Sequence, residues 1–342
     1  MLDMGSDGVP MRVLQRVTLN DGSEVPVLAF GTGTAQAFGD TSNVVQRALD
    51  KDLVHLDCAW WYKNQSFTAQ GIKASGKKRE EIYLSSKGGD FHGDPENFDA
   101  RGFLEVCLRD LDVPHVDMFL LHADILVPED VMKPWKQMEQ IKREGLAKSI
   151  GVSNFSSKSL QIILNHCEIK PAVNQAEFHP YSRPHYMPSL LPLCEANDIK
   201  IESFGPLVPL IRHTGGPVDE AVQSVLRERD VKGETEGQIL LMWNRQVTNG
   251  IVITTTTKDY RMEEQAAPFW TTTTIPPLSS QHIDRITAAG ESAPYRHWGT
   301  HWPYLMQGEG GHQACPVGST HRKRPEDPLA HLRTVRSMSS GT

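Results

Sequence analysis

The chain lacks the marks of several large protein classes. Its five cysteines (Cys58, Cys107, Cys167, Cys194 and Cys315) are scattered, odd in number and form no C-x-x-C pair. That excludes a disulfide frame or a zinc knuckle as the organising feature and favours reduced thiols, with no metal expected. No apolar run approaches the ~20 residues that span a bilayer. Residues 1–10 lack the charged-then-apolar pattern of a secretory leader, so a cytoplasmic protein without a membrane partner is expected. Positive charge is not in excess: 35 Lys and Arg against 42 Asp and Glu leave −7, which gives no overall attraction to nucleic acid. No heptads or repeats specify an assembly, and a monomer or homodimer is expected. The dinucleotide fingerprint is incomplete as well. Gly31-Thr32-Gly33-Thr34 begins like one, but Gln36 stands where the third glycine belongs.

What is present is a regular alternation. Hydrophobic residues make up 39% and charged residues 23% of 342, enough for a substantial core. Asn20-Asp21-Gly22 predicts a hairpin between residues 13–19 and 24–30. Beyond it, apolar runs at 27–30, 53–57, 82–86, 116–121, 149–152, 172–175, 199–204 and 250–253 read as strands. Helical patterns at 41–51, 65–75, 99–111, 131–143, 157–165, 187–197, 219–228 and 236–246 lie between them. Val44, Val45, Ala48 and Leu49 form the apolar stripe of the first, and Gly145 closes the fourth. Eight strands alternating with helices predict parallel pairing and a (β/α)8 TIM barrel with an N-terminal hairpin. Residues 1–304 would be one domain. One or two short helices and an aromatic-rich stretch (Tyr295, Trp298, Trp302, Tyr304) are expected after 255, then a mobile tail over 305–342 containing the solvated basic run Arg322-Lys323-Arg324.

Three of these strands carry chemistry at their ends. Val54-His55-Leu56-Asp57 ends in a carboxylate, with Tyr62 five positions on. Ile82-Tyr83-Leu84-Ser85-Ser86 leads to Lys87, and Val116 to Leu121 leads to His122. In a parallel barrel all such ends open on one face, so the four can meet. Taken singly, an Asp after a strand is ordinarily a helix cap, a Lys lies on the surface, and a His is simply hydrogen-bonded. Taken together they are complementary. A lysine ammonium beside a tyrosine stabilises its phenolate and lowers its pKa, the aspartate holds the lysine charged, and the histidine orients a carbonyl oxygen. No side chain donates hydride, so reduction at this site requires a nicotinamide or flavin.

The sequence resembles the aldo-keto reductase family. The motifs are Asp57-Cys58-Ala59-Trp60-Trp61-Tyr62, Lys87, Leu120-Leu121-His122, Gly151-Val152-Ser153-Asn154-Phe155 and Asn174-Gln175-Ala176-Glu177-Phe178-His179-Pro180, in order over about 13 to 290. The resemblance implies a TIM barrel binding extended NADPH and passing a hydride to an aldehyde or ketone. Tyr62 would be the general acid, Lys87 and Asp57 its tuning pair, and His122 the carbonyl-orienting residue. Ser153, Asn154 and Gln175 match the family's carboxamide ligands. Phe204 falls where the family stacks an aromatic ring on the nicotinamide. Gly33, Thr34, Pro206, Leu207, Thr256 and Gln265 complete the implied cofactor contacts.

Two departures qualify this. Many members carry Ile-Pro-Lys-Ser followed by an arginine, and the two cations hold the 2′-phosphate. Here the stretch is Ile253-Thr254-Thr255-Thr256-Thr257-Lys258, so Thr255 replaces the lysine while Arg261 matches the arginine. NADPH is expected, with NADH open to it. This threonine-rich version resembles a fungal subgroup that includes α-keto amide and keto ester reductases. The family also often has tryptophan after Gly-Thr, where Ala35 stands, which widens the mouth. Trp61 and Trp298 would then wall a bulky substrate. The rivals are a short-chain dehydrogenase, reading Tyr83 to Lys87 as Tyr-x-x-x-Lys on a helix, and a non-catalytic reductase-like barrel that binds nucleotide as a sensor or partner subunit. The His213 to Gly216 region is expected to be a mobile loop covering the cofactor.

Overall fold

The computed structural model describes residues 12–127 and 130–298, all within the first of the two units into which the chain divides. The expected tail at 305–342 lies outside the described residues, and so do Trp302 and Tyr304 of the aromatic-rich stretch before it. A hairpin of β1 (Arg16–Thr18) and β2 (Glu24–Pro26) turns at Asn20-Asp21-Gly22, where Gly22 takes φ 84°. The barrel then runs β3 (Leu28–Gly31), α1 (Ser42–Asp50), β4 (His55–Asp57), α2 (Gln65–Ser75), β5 (Tyr83–Gly88), α3 (Ala100–Leu111), β6 (Val116–Leu121), α4 (Met132–Arg143), β7 (Ala147–Ser153), α5 (Ser157–His166) and β8 (Val173–Glu177). It continues through α6 (Arg183–Tyr186), α7 (Leu190–Ala196), β9 (Lys200–Phe204), α8 (Val208–Ile211), α9 (Pro217–Arg229), α10 (Glu236–Thr248), β10 (Ile251–Thr254), α11 (Asp259–Ala266) and α12 (Ser280–Glu291).

Strands β3 to β10 pair in sequence, all parallel, and β10 closes on β3. Both expected components, barrel and hairpin, are present. The Tyr83 to Lys87 segment is strand, not helix, so the two side chains lie at opposite ends of β5 and the short-chain dehydrogenase reading fails. The helices bury the stripes read from sequence. Val44, Val45, Ala48 and Leu49 of α1 are buried, as are Ala100, Leu104, Cys107 and Leu111 of α3. Chain entry and exit are set by caps. Thr235 and Gln238 exchange side-chain to backbone hydrogen bonds at the start of α10, and Gly145 at φ 74° ends α4. Among the described residues, no helix is long and apolar enough to cross a membrane.

The N-terminal end of the barrel is held by polar contacts. Asp117 of β6 accepts from Arg79 at 2.7 Å and from the Leu84 amide at 2.9 Å, and pairs with Lys148 at 2.7 Å. Burial alone would raise its pKa, but Lys148, Arg79 and the amide together hold it below the usual carboxylate range. A cavity of about 240 Å³ between Arg16, Glu24, Glu80, Tyr83, Asp117 and Lys148 opens at this end, away from Lys87 and His122. Conserving shape while removing the charge isolates the interaction. Asp117→Asn should lower unfolding free energy by about 3–5 kcal/mol, since it strips a buried pair of one partner. The wild-type advantage should be present above the unfolded carboxylate range and vanish as pH falls through the depressed folded value. Urea unfolding of both proteins across acid pH checks it.

Candidate active site

Asp57 ends β4 and Lys87 stands one residue before the end of β5, both pointing into the top of the barrel. Lys87 is 0% and Asp57 3% exposed. Lys87 Nζ donates to Asp57 Oδ1 at 2.5 Å and to the Cys58 carbonyl at 2.9 Å. Gln175 Nε2 donates to the same Asp57 oxygen at 3.0 Å. Burial alone would depress the lysine, but the Asp57 charge, Tyr62 and the hydrogen bond to Asp57 together outweigh it, and Lys87 titrates above its ordinary value. The ammonium is therefore permanent at neutral pH.

Tyr62 closes a single 3₁₀ turn, Trp60–Tyr62, on the loop after β4. Its ring centroid lies 5.3 Å from Lys87 Nζ and 5.9 Å from the His122 ring, edge to face. Gly33 packs directly against it: a Cβ there would come within 2.6 Å of Tyr62 Cζ. One expectation is corrected here. Lys87 does pull the phenol downward, but burial of the hydroxyl is the larger effect and Asp57 adds to it, so the pKa is pushed up to about 12. Tyr62 is a neutral phenol that keeps its proton until a strong base forms beside it.

His122 follows β6 and is 6% exposed. Burial and the Lys87 charge hold its pKa well below the ordinary histidine value, so the ring is neutral. Its Nδ1 has no hydrogen-bond partner among the described residues. A neutral imidazole can donate to a carbonyl oxygen while leaving the proton transfer to Tyr62.

Around this centre the expected carboxamide ligands are assembled. Ser153 and Gln175 stand opposite each other on β7 and β8, and Asn154 follows at φ 54°. Asn154 Nδ2 donates to the His122 carbonyl at 3.1 Å, and Ser153 Oγ donates to the Gln175 carbonyl at 3.1 Å. Phe204 ends β9 beside buried Pro206 and half-buried Leu207. Trp298 meets Phe204 edge to face at 5.2 Å, and Gly205 at φ 67° leaves room for that indole, since a Cβ would lie 2.6 Å from Trp298 Cζ3. Trp298 is thus next to Phe204, while Trp61 meets Phe38 edge to face at 6.4 Å. Thr34 is exposed with φ 52°.

At the end of β10, Thr255 Oγ1 is buried without a hydrogen-bond partner among the described residues. Thr256 follows, Arg261 is exposed on α11, and Gln265 is buried, accepting from Thr254 Oγ1 at 3.0 Å. Sequence reasoning missed Lys258 at the start of α11. The Lys258 ammonium and Arg261 guanidinium lie 6.0 and 5.9 Å from the Tyr260 ring, and neither has a carboxylate partner among the described residues. The pattern had pointed to one lost cation; the next cation along the chain was the available signal.

Two other contributors were missed. Glu177 is fully buried and accepts from the His297 amide at 2.6 Å, the Trp298 amide at 3.0 Å and His179 Nε2 at 2.9 Å. It fixes the segment that carries Trp298. Phe91 and His92 pack on Trp61 with centroids 5.2 and 5.1 Å away, and Phe91 also meets His122 at 5.0 Å. These rings form one aromatic wall beside His122. The His213 region is packed in this structure: His213 stacks on Tyr295 at 4.1 Å and meets Tyr181 at 4.9 Å.

The aldo/keto reductase family pattern matches residues 27–267, and the chain belongs to that family. It is 34% identical over 254 residues to a Schizosaccharomyces pombe NAD/NADP-dependent indole-3-acetaldehyde reductase, covering 71% of this chain and 86% of that one. It is 30% identical over 304 residues to a Saccharomyces cerevisiae NADPH-dependent alpha-keto amide reductase, covering 83% and 94%. An aldo/keto reductase structure from Brucella melitensis superposes with a TM-score of 0.69 at 26% identity, over 81% of this chain and all of that one.

The energetic weight of the buried pair is open to test. Lys87→Met strips the buried Asp57 carboxyl of its cation, and should cost about 3–5 kcal/mol of stability in urea unfolding. Adding Asp57→Asn should return part of the loss, because the stranded carboxyl is replaced by a neutral amide.

Proposed function

We propose that the protein reduces an aldehyde or ketone to an alcohol with NADPH, using Tyr62 as proton donor. The observation that carries this is the buried Lys87–Asp57 pair beside Tyr62 and His122 at the C-terminal end of the barrel. When bound, the cofactor supplies a hydride. Everything else falls to the chain. His122 holds the carbonyl oxygen, and Lys87 favours negative charge developing there. Tyr62 then protonates the alkoxide. A pKa of about 12 does not hinder that step, because an alkoxide is comparable in basicity to hydroxide, whose conjugate acid titrates at ~15.7.

The residues at β10 and α11 fit a phosphorylated nicotinamide. Two cations without carboxylate partners and an orphaned buried hydroxyl make a favourable setting for a phosphate. Lys258 and Arg261 would take that role, and Thr255 and Thr256 would add hydroxyl donors. Ser153, Asn154 and Gln175 would hold the carboxamide, Phe204 would face the ring, and Gly33, Thr34, Pro206, Leu207 and Gln265 would shape the remaining walls. Phe91, Trp61 and Trp298 favour substrates with a flat or bulky apolar group next to the carbonyl. The relatives that act on indole-3-acetaldehyde and on alpha-keto amides support aldehydes and α-keto compounds as the first classes to try. The four described cysteines form no disulfide with one another, in keeping with our placement of the protein in the cytoplasm, acting as a monomer or homodimer.

Tyr62→Phe should lower kcat for NADPH-dependent reduction by about 10²–10⁴-fold, the span of a general acid, while NADPH still binds by fluorescence titration. Wild-type protein that binds NADPH yet turns over no carbonyl in a panel of aldehydes, α-keto esters and α-keto amides would overturn the proposal. Lys258→Ala and Arg261→Ala should each raise KM for NADPH by roughly tenfold, the scale of one charge-assisted hydrogen bond. KM for NADH should stay as it is.

A further inference from the structure

The barrel interior holds a titratable group that the reduction described above does not use. Glu202 is the third residue of β9, opposite Gln175 on β8 and Ile251 on β10. It is 0% exposed. Neither carboxyl oxygen has a hydrogen-bond partner among the described residues. His55 Nε2 lies 3.9 Å from Oε1. A carboxylate left this way, dry and with at most a weak contact to the Gln175 amide, is costly to keep charged.

The surroundings decide its protonation. His55 lies on β4, two residues before Asp57, with Nδ1 3.0 Å from the Pro26 carbonyl and Nε2 3.0 Å from Ser85 Oγ. A carbonyl only accepts, so Nδ1 carries the proton and Nε2 accepts from Ser85. The imidazole is neutral, burial having lowered its pKa to about 4, and it offers Glu202 no charge. The other groups acting on Glu202 are Asp57, Lys87 and neutral Gln175, with the Tyr83 phenol also within electrostatic range. Strand β10 places Ile251 opposite it and Val252 opposite the next residue, Ser203. Lys87 is the one cation in the set, and Asp57 already holds it at 2.5 Å.

We propose that Glu202 is a positioning residue for carbonyl reduction: held uncharged beside the Asp57–Lys87 pair, it leaves Lys87 facing a single carboxylate and its remaining field available to Tyr62 and the forming oxyanion. Ionising Glu202 puts a second negative charge into the same dry interior. Lys87 then faces two carboxylates, and both the Tyr62 phenolate and the oxyanion are disfavoured. Burial, reinforced by Asp57, raises the Glu202 pKa to about 8, so this change falls between the His55 transition near about 4 and the Tyr62 transition near about 12. The proposal rests on the reductase reading for its kinetic arm only.

The experiment is a pH profile of kcat for NADPH-dependent reduction by wild type and Glu202→Gln. Wild type should lose rate along a one-proton limb centred at about pH 8, with KM for NADPH flat across it. Glu202→Gln, which cannot ionise, should show no such limb. A limb that persists in the variant, or is missing from wild type, overturns the proposal. Two arms do not need turnover. Infrared spectra of wild type should show a protonated-carboxyl carbonyl band that disappears as pH rises through about 8, and its absence below that pH sinks the idea even if the variant fails to fold. Thermal unfolding gives the other arm. The folded chain keeps a proton that the unfolded chain releases, so the wild-type Tm should fall relative to Glu202→Gln as pH climbs from the ordinary carboxylate range to about 8; parallel curves contradict it. Complete lack of turnover with both spectroscopic arms intact would defeat the reductase reading and leave the buried protonated Glu202 standing.

Discussion

The site depends on one buried ion pair. Lys87 and Asp57 are both withdrawn from water and meet at 2.5 Å. Such a pair contributes little net stability compared with apolar residues of the same volume. Its worth lies in fixing a permanent positive charge at a chosen depth. Gln175 braces the carboxylate and the Cys58 carbonyl braces the ammonium, so the charge cannot wander. Tyr62 and His122 take their protonation states from it: both are neutral, one as a phenol and one as an imidazole.

Neutrality of everything except the pair is the second constraint. The interior holds His55, His122, Tyr62 and Glu202, and burial moves each toward its uncharged form. An interior arranged this way resists the approach of a proton or hydroxide from solvent but responds strongly when charge develops on a substrate oxygen. The barrel makes it possible because parallel strands deliver side chains from several distant segments into one dry layer. The loops supply what varies: the aromatic wall of Phe91 and Trp61, and the Trp298 segment that Glu177 ties down by two backbone amides.

Much of this was legible from the chain alone. The barrel follows from eight apolar runs alternating with helical stripes, and the Asp57, Tyr62, Lys87 and His122 set follows from where those runs end. Strand periodicity puts Glu202 on the same face as Phe204, the residue expected against the nicotinamide, since residues two apart share a face. What it withheld was the balance of energies. A lysine beside a tyrosine reads as a lowered pKa, yet burial is the stronger effect here, and burial is a property of the closed barrel rather than of the motif. Lys258 escaped because motif positions were matched one for one, whereas a phosphate responds to cations placed in space. Glu177 and Phe91 act through loops whose course no local pattern fixes.

The most direct test of the account follows the Tyr62 ring itself. Protein carrying ring-labelled tyrosine, titrated by NMR with Tyr62→Phe to assign the signal, reports whether that hydroxyl is phenol or phenolate. The account predicts that Tyr62 stays protonated after tyrosines of ordinary pKa, ~10, have ionised. A phenolate signal at neutral pH would contradict it, and would mean that the charge of Lys87 rather than burial governs the site.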